Sequence, residues 1–506
     1  MGQLLSILVV FLPLVGILGL PFVRRERALA WSIGAALAVF AASLPMWFLF
    51  DTSRAGAQFE VDLLWLDHIL NTQARLHLGV DGISILLVLL TTLITPLVLL
   101  SAPGHIKERQ REFCFWMLLM ECGMVGTFMA LDLFLFYIFW EMMLVPLYFV
   151  IGIWGGKRRL YAAIKFFLFT LAGSLLMLAA ILYLVLQSAQ IEGGELVKPA
   201  TAQILELAAR DPLGWTPQVL CFLAFGLAFA IKVPLFPFHT WLPDAHVEAP
   251  TSGSVILAGV LLKMGTYGFL RFCLPLFPHA TIAFAPWLLA LALVGIIYGA
   301  LLAWAQEDMK KLVAYSSISH LGFVVLGLFA LDRVAMTGGL LQMVNHGLST
   351  GALFLLVGVV YERRHTRRIE DFGGLARSMP RFAFFLMVAT LASIGLPLTG
   401  GFVGEFMILA GTFKVSWLAA VLGATGVVLG AVYMLSMVRR VLFGPLDKDE
   451  NRGLKDMSLR ESLVLTPLVL LIFWIGVYPL PFLDRTRKSI EQVQERVAQA
   501  VTEVSK

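Results

Sequence analysis

The chain has 506 residues, of which 59% are hydrophobic and 14% charged, with a formal net charge of +5. Soluble domains contain about 45–50% apolar and about 25% charged residues. Apolar runs of about 18 or more residues, each long enough to cross a hydrocarbon layer of ~30 Å, recur along nearly the whole chain. The composition indicates an integral membrane protein and excludes a globular enzyme with a single anchor. The net charge does not indicate nucleic-acid binding, because its distribution follows the membrane.

Sequence motifs for redox groups and nucleotides are absent. The cysteines stand singly within or beside apolar runs and form no metal-ligand spacing; they are Cys114, Cys122, Cys221 and Cys273. The glycine-rich nucleotide motifs GxGxxG and GxxxxGK[ST] are also missing. We therefore expect no metal, no cofactor and no redox chemistry in this chain.

The apolar segments predict about fourteen transmembrane helices. Residues 1–20 form the first span, because they have neither the basic start nor the cleavage site of a signal peptide. The predicted spans are residues 3–22, 29–50, 81–100, 112–131, 133–152, 162–187, 218–238, 252–272, 281–304, 312–331, 336–360, 382–411, 417–438 and 461–483. An even number of spans places both termini on the same side of the membrane.

Lysine and arginine are divided unequally between the two sets of loops. Twenty-three of them lie in loops of one face, whereas seven, including Arg271, are assigned to loops of the other face. Cytoplasmic loops of membrane proteins are enriched in Lys and Arg. We therefore predict that the first face is cytoplasmic and that both termini lie outside, on the periplasmic side.

The C-terminal tail, residues 486–506, has apolar residues at helical spacing between charged ones. They are Ile490, Val493, Val497, Val501 and Val504. The pattern predicts an amphipathic helix that lies on the membrane or on a neighbouring subunit. A solvated helix is the alternative.

Several ionisable residues fall near the middle of predicted spans. Lys263 is roughly 16 Å into its helix at ~1.5 Å per residue, and Lys232 lies deep in the span that precedes Pro234. The other residues of this kind are Glu121, Glu141, His320, His346 and Glu405. An ionised group at this depth costs at least about 2.5 kcal/mol, so such residues rarely face lipid. Their number favours a path for protons or other ions; the alternative is that they only hold helices together.

Two predicted spans are interrupted by proline in similar surroundings, at residues 231–235 (IKVPL) and 394–398 (IGLPL). Proline removes a helical hydrogen bond, and paired interrupted helices are typical of transporters built from inverted repeats. We predict a three-helix segment (1–110), a five-helix repeat (111–275), a second, inverted five-helix repeat (276–445), and a last span with its tail (446–506). Two unrelated kinked helices are the alternative.

Short stretches around these residues are recognisable. They are residues 139–146 (FWEMMLVP), 232–251 (KVPLFPFHTWLPDAHVEAPT), 263–265 (KMG), 306–311 (QEDMKK), 314–320 (AYSSISH) and 345–346 (NH). They resemble the antiporter-like membrane subunits of respiratory complex I, most clearly over residues 80–440. The second broken helix of that family commonly carries a lysine, whereas residues 400–406 (GGFVGEF) carry Glu405 here. This difference points to the M-type (subunit 4) branch rather than the L- or N-type branches.

The resemblance implies an all-α polytopic fold and a role for each site residue. Glu141 and Lys232 would form a switching pair, in which the carbonyl end of a half-helix favours the lysine charge. Proton carriers along the bilayer midplane would be Lys263, His239, His320 and His346. Glu405 would be the outlet, or the link to the next subunit.

The implied activity is that of a proton-translocating subunit of NADH:quinone oxidoreductase, a translocase of the bacterial inner membrane. FMN, iron–sulfur clusters and quinone would be bound by partner subunits, and L- and N-type chains would be neighbours in the membrane. A subunit of a multisubunit cation/proton antiporter or of a membrane-bound hydrogenase is the alternative. A solute transporter or membrane scaffold is a third reading.

Overall fold

The computed structural model describes residues 2–69, 72–192, 195–211 and 213–504. Its helices, in chain order, are α1 (Gly2–Gly19), α2 (Ala28–Leu49), α3 (Ile85–Ser101), α4 (Gln110–Met129), α5 (Leu133–Met142), α6 (Leu144–Trp154), α7 (Arg159–Gln187), α8 (Ile204–Arg210), α9 (Trp215–Lys232), α10 (Trp241–Glu248), α11 (Thr251–Ile256), α12 (Leu262–Gly268), α13 (Leu274–Leu276), α14 (Pro278–Trp304), α15 (Met309–Phe329), α16 (Arg333–Arg364), α17 (Leu375–Ser378), α18 (Pro380–Ser393), α19 (Gly400–Val415), α20 (Trp417–Leu442), α21 (Asp449–Arg452), α22 (Leu459–Val477) and α23 (Leu480–Val504).

Over these residues, 13 helical stretches are long and apolar enough to cross a membrane. The shorter apolar helix α18 is followed, after an interruption, by α19, and the two together are long enough for one more crossing. The prediction of about fourteen spans in an α-helical membrane protein is therefore confirmed.

Side chains cap the start of several spans. Asp132, Asp308 and Asp332 each accept two hydrogen bonds from backbone N–H groups in the first turns of α5, α15 and α16. Ser458 forms a capping box with Glu461 at the start of α22. The first N–H groups of a helix have no partner within it, and hydrocarbon offers none. These polar residues therefore fix where the apolar helices begin.

The spans differ in how deeply they are buried. In the span from Thr251 to Leu276 and in α16, every residue of an apolar 18-residue segment is buried. In α15, 94% of such a segment is buried. In the span containing α1 the corresponding share is 33%. The buried spans form the centre of the bundle, which is where ionisable groups can be kept away from lipid.

Both predicted helix interruptions are present. The first lies between Lys232, the last residue of α9, and Trp241, the first residue of α10. The second lies between Ser393 of α18 and Gly400 of α19. Gly395 adopts a φ of +71° in the second break, a conformation that glycine reaches without steric cost. The division into inverted repeats stays a prediction.

One end of the bundle carries β structure that the sequence did not predict. β1 (Gln58–Ile69) pairs antiparallel with β2 (Thr72–Val80), and β3 (Gln190–Glu192) pairs antiparallel with β4 (Glu195–Lys198). A short β5 (Ala200–Thr201) extends the first pair in parallel. We call this end, which also carries α23, the hairpin face. The opposite end, with most of the loop Lys and Arg residues, is the basic face.

The C-terminal helix is amphipathic as predicted, but it lies against its own chain. Ile490, Val493 and Val497 are buried, and α23 contacts α13, α14 and α16 at the hairpin face. Val501 is exposed, and the side chain of Val504 lies outside the described residues. The predicted position on the membrane or a neighbouring subunit was wrong for this apolar face, because the sequence does not reveal that the chain's own surface is available to it.

Arg271 does not lie in a loop of the hairpin face, where its sequence position had placed it. It lies inside the span from Thr251 to Leu276 and is 7% exposed. Its Nη1 donates to Asp81 Oδ2 at 2.7 Å, and its Nε donates to the Tyr267 hydroxyl at 3.2 Å. Hydrogen bonds to a carboxylate offset the cost of burying a guanidinium. The sequence assignment was wrong because a charged residue normally marks the end of an apolar span, and the sequence does not show that this arginine is buried and paired.

Candidate functional site

Four ionisable side chains form a line across the centre of the bundle. Lys263 Nζ lies 2.7 Å from His346 Nδ1. The ring centroids of His346 and His320 are 5.8 Å apart, and His320 Nδ1 lies 3.1 Å from Glu405 Oε1. The residues belong to α12, α16, α15 and α19, and all were singled out from the sequence. We call these four residues the central line.

The central line is shielded from the exterior. The exposed fractions are 0% for Lys263, 1% for His346, 6% for His320 and 4% for Glu405. An isolated charge at such a place costs several kcal/mol, and a hydrogen-bonded partner lowers that cost. A proton added to one member therefore changes the energy of a charge on the next, which is the property that a relay needs.

The helix around Lys263 is irregular. Wider, π-helical turns precede and follow α12, at Leu257–Leu261 and Phe269–Cys273. Lys263 Nζ also donates to the carbonyl oxygen of Ala258. Such turns occur often at functional sites, where they change the direction in which side chains point. Here they frame the lysine of the central line.

Helix α16 supplies a partner to Glu405, and the second break supplies one to His320. Gln342 Nε2, on α16, donates to Glu405 Oε1 at 3.0 Å. The hydroxyl of Ser393, where α18 ends, lies 3.2 Å from His320 Nε2. Glu405 therefore has two nitrogen partners on neighbouring helices, and the helix interruption places a polar group against the other side of the histidine.

The first break holds its lysine differently. Lys232 is 2% exposed, and its ammonium lies 5.2 Å from the ring centroid of Trp140 and 5.7 Å from that of Phe166. The charge of Glu141 acts on Lys232, but the described residues show no ion pair or hydrogen bond between them. Aromatic faces stabilise an ammonium without accepting its proton. The predicted switching pair is therefore close but not in direct contact.

Two other predicted groups stand apart from the central line. His239 lies in the first break, with ring centroids 5.7 Å from Phe236 and 5.6 Å from Tyr298, and its Nδ1 has no hydrogen-bond partner among the described residues. Glu121 is 0% exposed in α4, and the described residues offer no partner to either carboxylate oxygen. The structure brings neither into contact with the four residues of the line.

Sequence reasoning missed a second histidine near the first break, His246. It is fully buried and stacks on Phe354 with ring centroids 4.6 Å apart. Within the described chain, neither ring nitrogen has a hydrogen-bond partner. The charges of Lys310 and Lys263 both act on this ring. Its place in the stretch 232–251, beside the first break, was the signal that could have identified it.

Lys310 connects this region to the basic face. It is 6% exposed, and its Nζ donates to the carbonyl oxygen of Ala249 at 2.6 Å. A cavity of about 360 Å³ opens beside it, lined by charged residues that include Asp244, Glu248 and Asp308. A cavity of this size and polarity holds water. Water can therefore reach Lys311, the chain neighbour of Lys310, from the basic face.

The chemistry that these groups support is proton transfer. Lysine, histidine and glutamate each bind and release a proton, and all of them are held inside a membrane bundle. Over the described residues, no group of three or more His, Cys, Asp or Glu side chains could hold a metal ion. Fold and site together define an integral membrane protein of the proton- or ion-conducting class.

Family models match most of the chain. Residues 130–430 match the model described as NADH:quinone oxidoreductase/Mrp antiporter, and residues 28–127 match the amino-terminal model of NADH-ubiquinone oxidoreductase chain 4. The chain is 45% identical over 498 residues to NADH-quinone oxidoreductase subunit M of Rhodobacter capsulatus, covering 95% of this chain and 94% of the relative. The chain belongs to the chain 4 (subunit M) branch of the NADH:quinone oxidoreductase/Mrp antiporter family.

Solved structures share the fold. A chain of respiratory complex I from Thermus thermophilus superposes with a TM-score of 0.88 at 33% identity, covering 97% of this chain and 99% of that one. A chain of the Mrp complex from Dietzia sp. superposes with a TM-score of 0.84 at 18% identity, covering 99% of each chain. The second likeness concerns the fold alone.

Proposed function

We propose that this chain is the M-type, proton-translocating membrane subunit of an NADH:quinone oxidoreductase, and that it acts as part of that translocase. The observation that carries the proposal is the central line, in which Lys263, His346, His320 and Glu405 follow one another across four helices. Relatives with the complex I name, which match this chain from end to end, support the assignment to a redox-driven pump.

Protons would enter from the basic face. Water in the cavity beside Lys310 would deliver them to His246, on which the charges of both Lys310 and Lys263 act. From Lys263 a proton would pass to His346 through their 2.7 Å contact. The step from His346 to His320 would need a ring rotation or one water molecule, since the ring centroids are 5.8 Å apart.

Glu141 and Lys232 would act as a switch that precedes this relay. When the two groups approach, the carboxylate stabilises the lysine charge, and when they separate the buried ammonium is left beside aromatic rings. The lysine would then pass its proton towards Lys263. His239, in the same break, would assist as a further carrier, and Glu405 would release the proton or pass the signal to the next subunit.

We also propose which subunits adjoin this chain and how it is oriented in the membrane. L- and N-type chains would adjoin this one in the bacterial inner membrane, and partner subunits would bind FMN, iron–sulfur clusters and quinone, with no redox centre in this chain. The basic face would be cytoplasmic and both termini periplasmic, with residues 111–275 and 276–445 as inverted repeats. A cysteine in the 363–381 loop should then react only with a reagent on the cytoplasmic side, and one in the 188–216 loop only from outside.

The test of function uses the purified complex in vesicles, supplied with NADH and quinone. Glu141→Gln keeps the side-chain shape but cannot ionise, so we expect acidification of the vesicle lumen to be lost. Glu112→Gln is the matched control, because Glu112 is exposed and pairs with Arg109 at the basic face. Wild-type acidification by the Glu141 variant would remove this residue from the path.

The subunits that purify with this chain distinguish a redox pump from a cation/proton antiporter. A redox pump requires that subunits bearing iron–sulfur clusters purify with this chain, and their absorption is visible in the isolated complex. A stable complex that lacks them and exchanges Na⁺ for H⁺ would favour the cation/proton antiporter.

A further inference from the structure

The proton path does not use an apolar groove on the membrane side of the bundle. Its volume is about 550 Å³, and α2, α3, α16 and α22 surround it. The lining is almost wholly leucine and aromatic side chains, with Leu44, Leu93 and Leu471 along its walls. Leu44 is 38% exposed. In an integral membrane protein, such a groove opens to hydrocarbon.

The groove is as long as one leaflet is deep. Its lining extends from Leu37 to Phe48 on α2 and from Leu86 to Leu97 on α3, which is about 16 Å at ~1.5 Å per residue. Half of a ~30 Å hydrocarbon core is about 15 Å. Helix α2 ends and α3 begins at the hairpin face, so the groove extends from that surface to the middle of the membrane.

The shallow end of the groove has an aromatic and cationic rim. Phe482 contacts Trp47 and Trp474, with ring centroids 5.1 Å and 5.3 Å apart. The guanidinium of Arg485 lies 3.6 Å from the Trp47 centroid and donates to the carbonyl oxygens of Pro481 and Trp47. Its Nε–H is buried and has no partner among the described residues. Tryptophan rings and arginine are the residues that meet lipid headgroups at a membrane surface.

The back wall of the groove belongs to the helix of the central line. Val344 and Leu348 line it from α16, on either side of His346. Ile475 lines it from α22 and lies against the second break, where a Cβ on Gly400 would be 3.2 Å from Ile475 Cγ2. A void here would deprive these side chains of dispersion contacts. An occupant would therefore support the helices that hold the relay.

We infer that a phospholipid of the hairpin-face leaflet binds in this groove, with one acyl chain along its length and its phosphate at Arg485. The length and dryness of the groove suit a hydrocarbon chain. Arginine at the rim suits a phosphate, because guanidinium N–H groups hydrogen-bond phosphate oxygens strongly. The inference does not depend on the direction or order of proton transfer.

The test is photo-crosslinking of the purified complex with a phospholipid that carries a diazirine in its acyl chain. Crosslinks should map to the lining segments of α2, α3 and α22. Leu93→Trp and the more exposed Leu44→Trp fill the groove and should reduce this labelling severalfold. Leu220→Trp is the control, because Leu220 is 62% exposed on α9, outside the groove.

Substitutions that change the charge of Arg485 test the headgroup site. Arg485→Gln should reduce labelling about tenfold, since it removes a charge-assisted contact, and Arg485→Lys should retain part of it. Arg487→Gln, whose side chain is 56% exposed, should have no effect. Equal labelling in all variants would overturn the inference, as would a photoreactive residue at position 471 that links to a partner subunit rather than to lipid. Unchanged labelling in Arg485→Gln alone would overturn the phosphate contact.

Discussion

The two broken helices hold their ionisable residues in opposite ways. Beside the second break, Glu405 contacts His320 and Gln342 through hydrogen bonds, and a serine hydroxyl lies on the far side of the histidine. At the first break, Lys232 lies between aromatic rings, and Glu141 is near without touching it.

This difference bears on how readily a proton can be transferred at each break. Groups that share a hydrogen bond exchange a proton without a large movement. Among the described residues, Lys232 has aromatic neighbours and no such acceptor. We therefore expect its proton to leave when water enters or a helix moves. We therefore expect proton transfer between His320 and Glu405 to need little movement in this conformation, and we expect Lys232 to be a point of control. Variants of Glu405, Gln342 and His239 test that contrast.

Glu405→Gln should abolish proton transfer through the second half, because the amide cannot take up and release a proton. Glu405→Lys should be equally inactive, because His320 and Gln342 provide nitrogen donors that suit an acceptor rather than an ammonium. Both are measured as acidification of vesicles containing the complex. Recovery in the lysine variant would show that any titratable group suffices, and normal pumping by the glutamine variant would place the outlet elsewhere.

Gln342→Met should slow pumping by at least about tenfold without abolishing it. The change removes one hydrogen bond to a buried carboxylate, worth about 1.5–3 kcal/mol, and one such contact alters a rate by about a factor of ten per 1.4 kcal/mol. Gln218→Met is the control, since Gln218 is equally buried and accepts from Ala280 N at 3.0 Å, away from the central line. Equal effects of the two variants would mean that packing, not the contact with Glu405, matters.

His239→Gln should have the smallest effect. This histidine stacks on Phe236, meets Tyr298 edge-on and does not touch the central line. Pumping should therefore change by less than about twofold, or ~0.4 kcal/mol. His246→Gln, at the buried ring near Lys263, should have a clearly larger effect in the same vesicles. The reverse order would show that protons reach the relay through His239.

The sequence predicted which ionisable residues are buried better than it predicted which of them contact one another. Counting residues from a helix end gives a position along the membrane normal, so Lys263, His320, His346 and Glu405 were all placed near the middle. Which side of a helix a residue occupies depends on packing, and the sequence therefore could not separate His239 from His246.

Other misses have related physical causes. Arg271 was assigned to a loop because a charge normally ends an apolar run, and its partner Asp81 is distant in sequence. The hairpin of β1 and β2 was overlooked because its residues lie between spans, and the length of apolar runs predicts membrane helices but not strands. The breaks, by contrast, were predictable, since proline and glycine act locally.

The most direct test of the central claim is Lys263→Met, compared with Lys311→Met. Lys263 contacts His346 and is fully buried, whereas Lys311 lines the open cavity at the basic face. Both complexes are reconstituted in vesicles, and the initial rate of proton uptake is measured as NADH is oxidised. We expect uptake to be lost in Lys263→Met and preserved in Lys311→Met. A normal rate in an assembled Lys263→Met complex would contradict the proposal that protons cross this subunit along the central line.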